Sequence, residues 1–271
     1  RLAGEDMAIG EVVLKPGKRL DPAELGLIAY LGIAEVRVKQ RLRVALFSTG
    51  EKLCSLGEVP KEGQIHDSNR YTLYGMLKRL DAEVIDMGVI ADVPEAIEAA
   101  FHQAAEAADV VITSGGVSVG EADLTRKVLK EVGELGFWKL AIKPCKPLAF
   151  GQIDSMAIIA LPGNPVASFV IYAVFARPFI LKKAGGENVQ LQPIRVRAAF
   201  ERNKPALRRE FVRACLSIDA NGVSYATPYS SQDSATLISL TESDGLLMVP
   251  EQKTVSNGEL LDFYPNALLV G

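Results

Sequence analysis

Three short loops gather the residue types able to handle a phosphorylated or ring-shaped ligand: Ser48-Thr49-Gly50-Glu51-Lys52, Thr113-Ser114-Gly115-Gly116-Val117-Ser118-Val119-Gly120 and Pro162-Gly163-Asn164-Pro165. In the second loop, glycines let the backbone approach a ligand closely and take φ values that other residues avoid. Its N–H groups and the hydroxyls of Ser114 and Ser118 can cradle an anion, the other reading being a tight strand-to-helix turn. It matches neither GxxxxGK[ST] nor GxGxxG. Asp123, next to this loop, either caps a helix or holds a divalent metal against phosphate. Asp92 stands two residues before Pro94 and reads first as a cap. The Asn164 amide donates and accepts, which suits a carbonyl or heterocycle edge, while Pro162 and Pro165 fix two φ angles beside it. Asp67-Ser68-Asn69 precedes a helix, where the short polar groups either cap it or meet a ligand. Lys139, Lys143 and Lys146 surround a turn containing Pro144 and Pro147; they form either a solvated basic loop or a cluster that neutralises an oxyanion. Neither His66 nor His102 has neighbours that make a Ser/His/Asp triad or a zinc site.

The elements that must position these loops alternate. Val44–Ser48, Val84–Ile90, Asp109–Thr113 and Met156–Leu161 read as buried strands. Asn69–Leu80, Pro94–Ala108, Asp123–Glu131 and Val166–Phe175 read as helices. Such alternation predicts an α/β fold with a mostly parallel sheet covered on both faces, and these sheets bind ligands outside the carboxyl ends of their strands. The apolar run from Val166 to Leu181 holds Tyr172, Arg177 and Pro178, falls short of the roughly 20 clean residues of a span, and is expected to be a buried helix ending near Pro178. Before this domain, residues 1–40 read as a strand at Glu11–Leu14, a helix at Pro22–Leu31 capped by Asp21, and a strand at Glu35–Val38. That unit is too small to fold alone. After Gly185-Gly186, short strands at Arg195–Phe200, Glu210–Ile218, Val223–Pro228, Gly245–Val249 and Leu260–Phe263 suggest a β sandwich or barrel. The expected division is therefore 1–40, 41–185 and 186–271.

With 271 residues and 48% hydrophobic composition the chain can bury several cores, and a net charge of −3 provides no global basic field for nucleic acid. Cys54, Cys145 and Cys215 form no CxxC pair, which points away from a disulfide or metal framework and towards a reducing cytoplasm. Arg1, in place of Met, reads as the middle of a longer chain.

Ser48-Thr49-Gly50, Asp67-Ser68-Asn69, Thr113 through Asp123, Lys143-Pro144-Cys145-Lys146-Pro147 and Leu161 through Pro165 together resemble the molybdopterin molybdenumtransferase family, bacterial enzymes related to the carboxy-terminal region of gephyrin. Gly4-Glu5-Asp6 extends the resemblance to the start of the chain. It implies Mg²⁺-dependent insertion of molybdate into adenylylated molybdopterin with release of AMP, in molybdenum cofactor biosynthesis. It also implies an elongated homodimer, the adenylyltransferase that makes the substrate as partner, and no membrane or nucleic acid. For the fold it implies a central three-layer molybdopterin-binding domain, a C-terminal β barrel, and residues 1–40 as the returning half of a partial β-rich N-terminal domain. By position, Asp6, Asp92, Asp123, Lys139 and Lys143 match active-site acids and bases, and Arg213 and Ser234 match a cleft arginine and serine. The implied binding set comprises Thr49, Gly50, Asp67, Ser68, Asn69, Ser114, Gly115, Gly116, Ser118, Pro162, Gly163, Asn164 and Pro165. Asp92, Asp123 and Glu51 are the implied metal carboxylates. The sequence departs from the family pattern twice. Lys52 stands where the family has a functional glutamate, and Cys145 where it has glycine. A molybdopterin-binding or scaffold protein with impaired catalysis, and the related adenylyltransferase, are the competing readings.

Overall fold

The computed structural model describes residues 5–116, 124–144 and 147–271, with Trp138 described by its backbone alone. After α1 (Pro22–Tyr30) the chain enters a six-stranded sheet through β1 (Arg43–Thr49). The short pair β2 (Leu53–Cys54) and β3 (Ile65–His66) leads into α2 (Ser68–Arg79), then β4 (Glu83–Ile90), α3 (Pro94–Ala107), β5 (Val110–Ser114) and α4 (Leu124–Val132). β6 (Glu134–Lys139), β7 (Ile142–Lys143), β8 (Pro147–Ile153) and β9 (Met156–Leu161) follow. The strand order is β4-β1-β5-β9-β8-β6. The first four strands are parallel, and β8 and β6 are added antiparallel.

The strands read as unbroken apolar runs because both faces are covered. In β1, Val44 and Leu46 face a core shared with Leu73 and Leu77 of α2, whereas Ala45 and Phe47 face Ile97 and Phe101 of α3. This is the two-residue alternation of a strand with apolar partners on each side. β6 and β8 are additions to the strands expected from the sequence, which had only a lysine- and proline-bearing turn between Lys139 and Pro147.

α5 (Pro165–Ile171) and α6 (Arg177–Lys183) form one helix, joined by a π-helical turn at Tyr172–Ala176. The expected end near Pro178 is thus corrected. Proline lacks an N–H and crowds the carbonyl four residues back, and a wider π turn just before it accommodates both effects. By length and composition Pro165–Lys183 could cross a membrane. Here Val166, Val170, Ile171, Tyr172 and Ala173 are fully buried in the sheet's core, which makes it a core helix.

The last part closes on itself. β10 (Ile194–Ala198), β11 (Arg209–Ile218), β12 (Ser224–Pro228), β13 (Gly245–Val249) and β14 (Leu260–Pro265) run in the order β12-β10-β14-β13-β11, and pairing of β11 with β12 completes a five-stranded barrel. Short helices α7 (Ile238–Thr241) and α8 (Asn266–Leu269) flank it. β7 leaves the central domain and pairs with β11 outside the ring, Glu210 opposite Lys143.

Among residues 5–40 the expected strands at Glu11–Leu14 and Glu35–Val38 are absent. Both stretches are unpaired, with Val12, Val36 and Val38 exposed. A strand needs a neighbour for its N–H and C=O groups, and no described segment offers one. α1 does form, with the Glu24 carboxylate accepting from the Asp21 N–H at 3.1 Å.

Candidate functional site

β1 connects through α2 to β4 on one side, and the chain then returns through α3 to β5 on the other. The carboxyl ends of β1 and β5 are therefore a topological switch point, where a crevice opens between diverging loops. Thr49 and Gly50 end β1, and Ser114, Gly115 and Gly116 end β5. Asp92 follows β4, and Pro162 to Pro165 follow β9. The sequence-predicted loops thus share one edge of the sheet.

Asn69, in the first turn of α2, joins them. Its Nδ2 donates to Ser114 Oγ and to the Gly163 carbonyl, each at 2.8 Å, and Gly115 N–H donates to the Leu161 carbonyl at 3.1 Å. Ser114 Oγ also donates to the Pro162 carbonyl at 3.4 Å. Asn69 and Ser114 are thus buried struts, and Ser68 beside them is half-buried with no side-chain bond among the described residues. The protein's own packing requires glycine at positions 115 and 116. A Cβ on Gly115 would lie 2.0 Å from the Thr49 carbonyl oxygen, and one on Gly116 would lie 2.1 Å from Thr125 Oγ1, with φ of +98° and +66°.

Asp92 does not cap α3, whose capping position is Val93. Its Oδ1 accepts from Thr49 Oγ1 at 2.8 Å, which turns the carboxylate towards the switch point. Asp67 is engaged entirely within the protein. It is 2% exposed, accepts from Ser48 Oγ at 3.1 Å, caps α2 through Arg70 N–H at 3.2 Å, and takes Arg70 Nε at 3.1 Å. Arg70 then reaches Asp86 on β4 at 2.7 and 2.5 Å. Burial works against the guanidinium charge, but the Asp86 and Asp67 carboxylates outweigh it and raise the Arg70 pKa. Asp67 is therefore a helix cap and an ion-pair partner of Arg70. The sequence reading missed Arg70 and Asp86, although Arg70 lies three residues after the cap.

The barrel meets this rim at one loop. Asn164 Nδ2 donates to Ser234 Oγ at 2.9 Å, and Val166 N–H donates to the Ser234 carbonyl at 3.0 Å. Arg213, read as a cleft arginine, is 1% exposed and holds the Ser234 loop from beneath. Its Nη2 donates to the Ser231 and Asp233 carbonyls, both at 2.9 Å, and its Nε donates to Ser239 Oγ at 3.1 Å. Burial lowers its pKa, with Asp233 opposing.

Lys139 ends β6 at the same edge as Ser114, three strands away, or about 14 Å at the usual strand spacing. Lys143 bonds Glu210 at 3.3 Å, and Glu210 also takes Arg202 at 2.7 Å. These three line a cleft of about 170 Å³ with Phe200, Arg213 and Gln232. Glu51 is exposed on the turn after β1. Asp6 is exposed and makes no bond among the described residues. Ser118, Asp123, Cys145 and Lys146 lie outside the described residues. Among the described residues no three His, Cys, Asp or Glu side chains cluster as a metal site.

Comparison with known proteins assigns this architecture. Residues 45–182 match the model of a probable molybdopterin binding domain, and residues 195–266 match that of the MoeA C-terminal region. The molybdopterin molybdenumtransferase of Haemophilus influenzae is 39% identical over 273 residues, covering 100% of this chain and 68% of that protein. The chain belongs to the molybdopterin molybdenumtransferase family. Molybdopterin molybdenumtransferase 2 of Mycobacterium tuberculosis is 36% identical, over 93% of this chain and 63% of that protein. The crystal structure of a molybdopterin biosynthesis moeA protein from Pyrococcus horikoshii OT3 superposes with a TM-score of 0.76 at 27% identity, over 97% of this chain and 63% of that one. This molybdopterin molybdenumtransferase family chain therefore spans about two thirds of the length of these relatives.

Proposed function

We propose that this protein inserts molybdate into adenylylated molybdopterin and releases AMP, in a Mg²⁺-dependent step of cytoplasmic molybdenum cofactor biosynthesis. The observation that carries the reading is the convergence of the β1, β4, β5 and β9 loops and the start of α2 on one rim, joined by Asn69. It is supported by the Haemophilus influenzae relative, which matches the whole of this chain and is named molybdopterin molybdenumtransferase. In this reading the Ser68 hydroxyl and the Asn164 side-chain carbonyl, neither engaged by a described residue, meet the pterin or nucleotide. Lys139 and Lys143 attract phosphate and molybdate as compact positive charges. Asp92 fits as one carboxylate for Mg²⁺, since Thr49 occupies only its Oδ1 and Mg²⁺ commonly takes one or two carboxylates with phosphate oxygens and water. Bound there, the ion would neutralise charge on a phosphoanhydride. Asp123 and Glu51 complete the proposed acidic set. A homodimer, the substrate-forming adenylyltransferase as partner, and no membrane or nucleic acid belong to the same proposal.

The experiment is AMP release by the full-length protein supplied with adenylylated molybdopterin, molybdate and Mg²⁺. Release that needs all three, and that falls by about a hundredfold or more in Asp92→Asn, is the expected result. Tight binding of the substrate without AMP release would instead establish the impaired binding protein, which the ammonium of Lys52 beside Glu51 favours. ATP-dependent adenylylation of molybdopterin would establish the adenylyltransferase.

A further inference from the structure

Behind the rim, Arg70 ties together three elements that the substrate-facing residues depend on. Its side chain is 9% exposed, between Asp67 at 2% and Asp86 at 35%. Asp67 Oδ2 takes Arg70 Nε at 3.1 Å, while Oδ1 takes Ser48 Oγ from the end of β1 and Arg70 N–H from the start of α2. Asp86 sits where β4 bulges against β1, and its Oδ1 accepts both Arg70 Nη1 at 2.7 Å and Gly88 N–H at 3.0 Å. The guanidinium also lies over the Tyr71 ring, 4.8 Å from its centroid. One planar fork thus fixes where α2 begins relative to β1 and β4. The residue before it is Asn69, whose amide divides its hydrogen bonds between the β5 and β9 loops.

We propose that Arg70 is a positioning residue for ligand binding: held by Asp67 and Asp86, it sets the first turn of α2 so that Ser68 and Asn69 shape the rim that receives the substrate. The claim rests on the reading of that rim as the substrate site. Arg70 touches no substrate and acts through Asn69, so its loss alters affinity more than the chemical step. A guanidinium that served stability alone would leave the affinity of the folded enzyme unchanged.

The test compares full-length Arg70→Met, Arg70→Lys and Asp86→Asn with wild type in steady-state AMP release, alongside the side-chain amide resonances of Asn69. In Arg70→Met, KM for adenylylated molybdopterin is expected to rise by roughly tenfold or more while kcat stays close to wild type. Arg70→Lys should fall between the two, because an ammonium keeps the charge but not the fork. Arg70→Met combined with Asn69→Ala should raise KM no further than the larger single change, since residues acting through one contact are not additive. Unchanged KM with only a lower Tm, or single effects that multiply, would overturn the proposal. If Arg70→Met does not fold, Arg70→Lys and Asp86→Asn provide the same comparison. If wild type releases no AMP, the activity reading fails by itself, and the Asn69 resonances then decide: shifted amide signals in the variants support positioning, and unmoved ones overturn it.

Discussion

A single methyl group at position 115 is enough to disturb the switch point. Gly115→Ala would place a Cβ 2.0 Å from the Thr49 carbonyl oxygen at a φ of +98°, so it should cost more than about 2 kcal/mol in urea denaturation. Gly163→Ala on the neighbouring loop meets nothing closer than 3.9 Å and should stay within about 0.5 kcal/mol of wild type. At the opposite end of the sheet, burial pushes the Asp109 pKa up. The Arg43 N–H at 2.8 Å and its guanidinium at 3.3 Å more than reverse this, leaving it below the ordinary carboxylate value. A carboxyl whose folded pKa is depressed contributes stability above its unfolded pKa and loses it as pH falls through the folded one. Asp109→Asn should therefore destabilise by about 1 kcal/mol at neutral pH. The difference should disappear in acid below both pKa values, as urea midpoints from pH 7 down to pH 2 would report.

At the scale of elements, the long core helix has an internal inconsistency that can be measured. The Tyr172 hydroxyl begins the π turn, fully buried and without a hydrogen-bond partner among the described residues, and burial raises its pKa well above the usual phenol value. A buried donor left unmade costs free energy, so Tyr172→Phe should be neutral or stabilising by up to about 1 kcal/mol in chemical denaturation. Destabilisation by more than that would reveal a hydrogen bond to an internal water. Pro178 and the π turn explain how this helix passes a residue that normally ends one.

Across the whole molecule, sheet and barrel share a buried core in which Phe211, Leu246 and Leu269 cluster with Leu73, Val166 and Tyr172, and the Asn164 to Ser234 loop pair and β7 laid along β11 add polar contacts to it. Glu210, only 8% exposed, holds Lys143 from one side and Arg202 from the other. Glu210→Ala leaves two cations facing each other in a half-closed cleft, and should cost about 1–3 kcal/mol, seen as a lower Tm in calorimetry. Lys143→Ala, with a side chain 46% exposed, should cost less than about 1 kcal/mol. Ile9, Val12, Tyr30 and Val38 carry exposed apolar side chains before the central domain.

Much of this was legible in the sequence because it depends on neighbours along the chain. Alternating apolar strands and amphipathic helices dictate a parallel sheet covered on both faces, and that topology alone carries the loops after β1, β5 and β9 to one rim. Roles that depend on residues distant in sequence were not legible. Asp67 and Arg213 have the types and spacing of ligand contacts, yet Ser48 and Arg70 engage the first and the backbone of the Ser234 loop engages the second. The strands expected at Glu11–Leu14 and Glu35–Val38 failed for the same reason, since a strand exists only where another backbone pairs with it. Sequence thus determined which groups reach the rim. Tertiary structure decided which of them still have a free valence for a ligand, because a buried polar group bonds the protein first.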